Sequence, residues 1–254
     1  MPSETQDAFL YGFLLAIPQG APPGKLAVVA KGSEAGGAEG GRGFEISSSI
    51  DIEAKTFARE DIPLDSANTA IRTAPDPAKT AESAVFAKVF AFRDPTAVYA
   101  KGALSKPIEN GWRETAGFGD MRRYLYSAGG SDTTTHGGVD IGAKEGTPVL
   151  ACAAGRVVFV ARRIVTGNTI VIEHLPGFFS IYMHLSAVEV SEGKVVEQGQ
   201  RIGKVGSTGL STGPHLHWEL RIGEVSVNPY RYLERPLLDK NAVSSRIKPP
   251  MEGR

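Results

Sequence analysis

The sequence predicts an all-β protein in two parts, a small β-sandwich-like domain followed by a larger antiparallel β domain. Glycine and proline are frequent, 30 and 16 among 254 residues, while aromatic residues make up only 8%. That mix breaks a chain into short strands and turns rather than long helices. Between the breaks, short runs rich in β-branched and aromatic residues recur. All five histidines lie between positions 136 and 217, so the second part differs from the first in chemistry as well as in pattern.

The first part is read as follows. Ala8 to Ile17 is an uncharged apolar run of strand character. Leu26-Ala27-Val28-Val29 follows the turn signal Pro22-Pro23-Gly24, and a glycine-rich loop runs from Gly32 to Gly43. Phe44 to Phe57 partly alternates, with Ile46, Ile50 and Ile52 among polar neighbours, and Val85 to Phe92 reads as the best strand of this part. Asp61-Ile62-Pro63-Leu64 and Asp76-Pro77 read as connections. Strands at this spacing suggest a small sandwich. With no histidine and no titratable constellation, a packing, spacer or regulatory role is expected here.

The boundary falls near Ala100 to Gly117, which divides the chain into 1–100, a linker at 101–117, a second domain at 118–235 and a tail at 236–254. In the second domain Gly155 to Val160, Asn168 to Glu173, Phe179 to His184, Arg201 to Val205 and His215 to Ile222 are short strands bounded by Gly or Pro. Leu175-Pro176-Gly177 joins two of them as a hairpin turn.

Bulk properties exclude several classes. Lys+Arg and Asp+Glu both number 28, so a net charge of zero gives no reason to expect nucleic acid as partner. The single cysteine, Cys152, sits in an apolar run and reads as a small buried hydrophobe; alone it forms no internal disulfide and no Cys-rich metal site. No stretch approaches the roughly 20 apolar residues of a membrane span. No basic flank or cleavage site marks a signal peptide at the N-terminus.

The histidines carry the chemistry. His136 and Asp140 are four apart, and Gly137-Gly138 between them lets the backbone fold so that both face one ion. His-x-x-x-Asp alone is common by chance. In Gly213-Pro214-His215-Leu216-His217-Trp218-Glu219, strand parity puts His215 and His217 on one face and Leu216, Trp218 and Leu220 on the other. Parity does not decide which of the two histidines would bind a metal. His184 closes the apolar strand ending Tyr182-Met183-His184. Three nitrogen and oxygen ligands with a fourth position left for water are what a catalytic zinc takes.

Together, His-Gly-Gly-Val-Asp at 136–140, Gly-Thr-Pro-Val at 146–149, Gly-Asn-Thr at 167–169, Glu173-His174, Tyr-Met-His-Leu at 182–185 and Gly-Ser-Thr-Gly-Leu-Ser-Thr-Gly-Pro-His-Leu-His-Trp-Glu at 206–219 resemble the lysostaphin/LytM-type zinc endopeptidases. The resemblance covers about residues 112 to 230, and Asn228-Pro229 also fits it. It implies a compact antiparallel β fold with an open groove and hydrolysis of peptide cross-links in bacterial peptidoglycan, hence stem peptides or cross-bridges as partners, a place in the periplasm or cell envelope, and a cell-envelope protein as the class of partner for the N-terminal domain. It implies one Zn2+ held by His136, Asp140 and His217, with His184 and His215 as the catalytic pair that does not bind the metal. His174 is left structural or as a support behind the ligands. Some members carry a tyrosine before the first ligand; neither Tyr124 nor Tyr126 matches it, and neither is given a role.

The expected reaction uses a metal-activated water with one histidine as general base, so activity should fall as pH drops below the histidine range. The alternative is a non-catalytic activator of cell-wall hydrolases with the same fold, which would lack ligands that this sequence has. A lipoyl- or biotinyl-type carrier is disfavoured, since Lys194 and Lys204 are not in the Met-Lys turn such modules use. Gly206 to Gly213 lacks the Gly-Lys-Ser/Thr of a phosphate loop.

Overall fold

The computed structural model describes residues 14–33, 43–92 and 94–237. Its strands are β1 (Gly24–Ser33), β2 (Gly43–Ile52), β3 (Arg59–Pro63), β4 (Arg113–Ala116), β5 (Met121–Leu125), β6 (Ser131–Thr135), β7 (Val139–Gly142), β8 (Pro148–Leu150), β9 (Gly155–Arg163), β10 (Gly167–Leu175), β11 (Phe178–Leu185), β12 (Ala187–Val188), β13 (Val195–Val196), β14 (Arg201–Lys204), β15 (His215–Ile222) and β16 (Val225–Val227). Helices α1 (Ser66–Thr73) and α2 (Pro77–Ala91) lie between β3 and β4. The protein is mostly β with antiparallel sheets, as the sequence predicts.

The central sheet runs β13-β9-β10-β11-β15-β7-β4, with β16 paired to β15. All five strands read from the second half are present: β9, β10, β11, β14 and β15. Their residues alternate between two apolar layers, as a sheet covered on both faces requires. Ile170, Ile172, Tyr182, Leu216, Trp218 and Leu220 face the larger core, which the small sheet β12-β14-β8 helps to close. Val171, Phe179, Ile181 and Met183 face the other way, towards α2. Ala100, Leu104 and Ile108, from the stretch between the two parts, are buried in the larger core.

The first part differs from a sandwich. Among the described residues it comprises the hairpin β1–β2, the strand β3 and the two helices. Ala8 to Phe13 of the first apolar run lie outside the described residues, and Leu14 to Ile17 carry no strand. Asp61 to Pro63, read as a connection, belongs to β3, which pairs in parallel with β5 in the sheet β3-β5-β6. Val85 to Phe92, read as a strand, is the end of α2 and its C-cap. Phe86 and Phe90 are four apart, a spacing that fits one face of a helix as well as one face of a strand. The helix wins because Asp76 caps it, its carboxylate accepting from the Ala78 amide at 2.8 Å, and Pro77 opens its first turn. The exposed second face of the sheet then has a partner: Phe90 stacks edge-on to Phe179 at 5.3 Å and Phe86 to Phe159 at 5.4 Å. Each such buried ring contributes roughly 1.5–3 kcal/mol.

Hydrogen bonds tie the first part to the loops of the second, among them one from the Ile164 amide to the Glu82 carboxylate and one from the Ser127 amide to Thr69 Oγ1. Asn68 of α1 donates to the Ser211 carbonyl at 3.2 Å, and Gln19 donates to the His136 carbonyl at 3.0 Å. Among the described residues no helix is long and apolar enough to cross a membrane.

Candidate metal centre

Neighbouring strands deliver the site. On β15 the parity is as expected: Leu216, Trp218 and Leu220 are fully buried in the core, and His215, His217 and Glu219 point to the other side. β7 pairs antiparallel with β15 so that Asp140 stands opposite His217. The turn before β7 brings His136 over them, and it requires glycine at 138. A Cβ there would meet the Trp218 carbonyl oxygen at 2.4 Å and His217 Nε2 at 2.9 Å.

Three atoms converge. His136 Nε2 lies 3.2 Å from Asp140 Oδ1 and 3.0 Å from His217 Nδ1, and His217 Nδ1 lies 2.9 Å from the same Asp140 oxygen. All three residues are buried. The other ring nitrogens are committed as donors: His136 Nδ1 to the Gly117 carbonyl at 2.8 Å, and His217 Nε2 to Glu219 Oε2 at 3.2 Å. These bonds fix the tautomers and leave two imidazole lone pairs facing one carboxylate oxygen. Such a cluster calls for a cation. The pull already acts on a proton: burial would lower the His217 pKa, but the Asp140 and Glu219 carboxylates on either side outweigh it and lift it to about 9. Burial likewise works against the Asp140 carboxylate, yet hydrogen bonds with His136 and His217 hold its pKa well below the usual range. Nitrogen and oxygen donors of this number suit Zn2+, so the residues present fit that ion.

Glu219 supports the cluster from behind. Burial alone would raise its pKa, but the bond to His217 and the charge of Arg221 bring it to about 2. Its Oε1 accepts from Arg221 Nε and Ser226 Oγ, each at 2.6 Å. Arg122 of β5 stands on the far side of Asp140, its Nη2 donating to Oδ2 at 2.5 Å. Sequence reading gave neither residue a role. For Arg122 the available signal was parity on β5, which puts it on the same face as Tyr124 and opposite Arg123.

His184 and His215 face the same groove, their rings 4.7 Å apart. His184 donates from Nδ1 to the Thr208 carbonyl and His215 from Nδ1 to the Gly213 carbonyl, both at 2.8 Å, so each leaves its Nε2 lone pair free to act. His215 Nε2 is 3.8 Å from Asp140 Oδ2. Burial, reinforced by the neighbouring His215, lowers the His184 pKa to about 3; burial also lowers that of His215. Both are therefore neutral bases at pH 7. His184 is the one non-glycine among the described residues with positive φ, 62°. Its backbone N–H donates a hydrogen bond to the Thr166 carbonyl at 2.9 Å, and this and the ring's hydrogen bond to the Thr208 carbonyl hold it there.

The groove has a volume of about 960 Å³. Besides the histidines it is lined by Glu60, Ile62 and Arg72, so the first part of the chain supplies one wall. Tyr124 lines it too, with the Arg72 guanidinium 4.0 Å from its ring centre; Tyr126 does not. His174 is elsewhere. It is fully buried, donates from Nδ1 to the Ala154 carbonyl at 2.8 Å, and meets Ser180 Oγ at 2.7 Å through Nε2. Cys152 lies beside it, its thiol pushed up to about 11 by burial.

Residues 134–229 match peptidase family M23. Over 94 residues the chain is 50% identical to the DD-carboxypeptidase/endopeptidase Mpg of Neisseria meningitidis, a stretch covering 37% of this chain and 22% of that protein. It is 37% identical over 122 residues to the peptidoglycan DD-endopeptidase ShyA of Vibrio cholerae, covering 48% and 28%. The matched stretch thus spans about a quarter of these curated relatives. A solved Pseudomonas aeruginosa structure assigned to peptidase M23 superposes over 87% of this chain and 78% of its own, with a TM-score of 0.62 and 24% identity. That likeness is one of fold, and it extends over more of the chain than residues 134–229.

Proposed function

We propose, because residues 134–229 match peptidase family M23, that the protein is a zinc endopeptidase that hydrolyses peptide cross-links of bacterial peptidoglycan. The observation that carries this reading is the pairing of two functions in one groove. Three buried donors converge with lone pairs on a single point, and two neutral imidazoles present free Nε2 atoms beside it. The names of the relatives supply the substrate class, and a place outside the cytoplasm follows from that substrate.

In this reading His136 Nε2, Asp140 Oδ1 and His217 Nδ1 hold one zinc ion. Bound there, zinc would polarise the scissile carbonyl and acidify a water molecule. His184 or His215 takes the proton of that water at Nε2 as oxygen attacks the carbonyl carbon. The protonated imidazole returns that proton to the leaving amine, while the other, with its Nε2 lone pair facing the groove, accepts a hydrogen bond that orients the attacking water. Glu219 keeps His217 in the tautomer that binds through Nδ1. Burial lowers the His184 pKa to about 3 and lowers that of His215 as well, so the acid limb of turnover should lie below where an ordinary histidine would set it.

The test is digestion of purified peptidoglycan followed by mass spectrometry of the muropeptides, with metal analysis of the same preparation. New peptide-cleaved fragments should appear, vanish with a chelator and return with zinc. A preparation carrying one zinc per chain that yields no new fragments would overturn the endopeptidase reading.

A further inference from the structure

Asp140 offers one oxygen to the cluster and the other to Arg122. The arginine does not come from the sheet that carries the cluster. It rises from β5, in the sheet β3-β5-β6, and its register partner across the parallel pair is Glu60 of β3. Its side chain is 13% exposed, and its Nε is buried without a hydrogen-bond partner among the described residues. A guanidinium so placed is retained only against a strong compensating charge, and Asp140 is the carboxylate within reach. Glu219 is backed in the same way by Arg221.

We infer that Arg122 is a positioning residue that makes Asp140 a one-oxygen ligand. An aspartate free to rotate can close on a cation with both oxygens and take up the position a catalytic centre must leave open for water. The hydrogen bond to Oδ2 ties that oxygen down and aims Oδ1 at His136 and His217. This inference rests on the ligand set proposed above.

Cobalt(II) is the probe, since its visible absorption reports coordination number independently of turnover. Wild-type protein loaded with one equivalent should show the intense bands of a four-coordinate site. Arg122→Met, which keeps the length of the side chain and removes the donor, should show the weaker bands of higher coordination, and competition with a chelator should show affinity lowered about 10- to 100-fold. Arg122→Lys should recover part of both. If Arg122→Met does not fold by circular dichroism, Arg122→Leu, which likewise lacks the donor, takes its place: a spectrum and affinity equal to wild type in the donor-free variant that folds overturn the inference. Wild-type protein that binds no cobalt or zinc overturns the ligand set itself, which separates the two failures.

Discussion

The chain buries histidines in two places, and the two are opposites. Around His174 every polar atom has found a partner. Its Nδ1 donates to Ala154, its Nε2 meets Ser180, Ser180 reaches the Tyr182 hydroxyl at 3.1 Å, and that hydroxyl accepts the Cys152 amide at 2.9 Å. Around His136 and His217 the outward nitrogens are satisfied, and the inward ones face each other at 3.0 Å across one Asp140 oxygen, an arrangement that needs a cation or a proton between them. Burial is common to both and so marks neither as functional. What separates them is whether donors and acceptors balance: the first network is closed, and the second is short of a positive charge.

The comparison breaks most sharply at the ligands. Asp140→Ala should lose both bound zinc and turnover, whereas His215→Ala should keep zinc and lose turnover by about 10²- to 10⁴-fold. Metal analysis beside a cleavage assay reads the split, and zinc lost from His215→Ala but kept in His217→Ala would exchange their roles. His174→Gln should leave zinc stoichiometry unchanged and lower stability at pH 7 by about 1–3 kcal/mol, because its partners lose their bonds. The pH dependence sharpens this. Burial depresses the folded His174 pKa to about 4, below the unfolded value of 6.5. As pH falls from about 6.5 to about 4, unfolded wild type takes up a proton that the folded state refuses, and stability falls by about 1.4 kcal/mol per unit. The glutamine variant lacks that loss, so the gap in urea midpoints between variant and wild type should close as pH falls. A constant gap would mean that His174 is not held neutral. The smallest effect concerns Cys152, whose thiol should resist alkylation at pH 8 until the protein is unfolded; rapid labelling of the folded chain would show its network to be open.

Much of this was legible in the sequence, for reasons that can be named. β15 alternates apolar and polar residues against a well-packed core, so parity alone placed His215 and His217 on one face. α2 was not legible, because Phe86 and Phe90 satisfy both periods at once and the Asp76-Pro77 cap looks like a turn. Parity also could not rank His215 against His217. In the structure His217 Nε2 is engaged by Glu219, while His215 is turned by the Gly213 carbonyl, a backbone atom that no residue letter records. Arg122 escaped for a similar reason: it reaches Asp140 only because β5 belongs to a different sheet that folds against the cluster.

His184 stands at φ 62°, where a side chain is an encumbrance and glycine would rest more easily. Selection for heat tolerance alone would therefore reward glycine or asparagine at this position, and the survivors would be sturdier proteins with an impaired groove. A library screened on this scaffold for robustness needs a functional readout at every round, because position 184 is where the two goals pull apart.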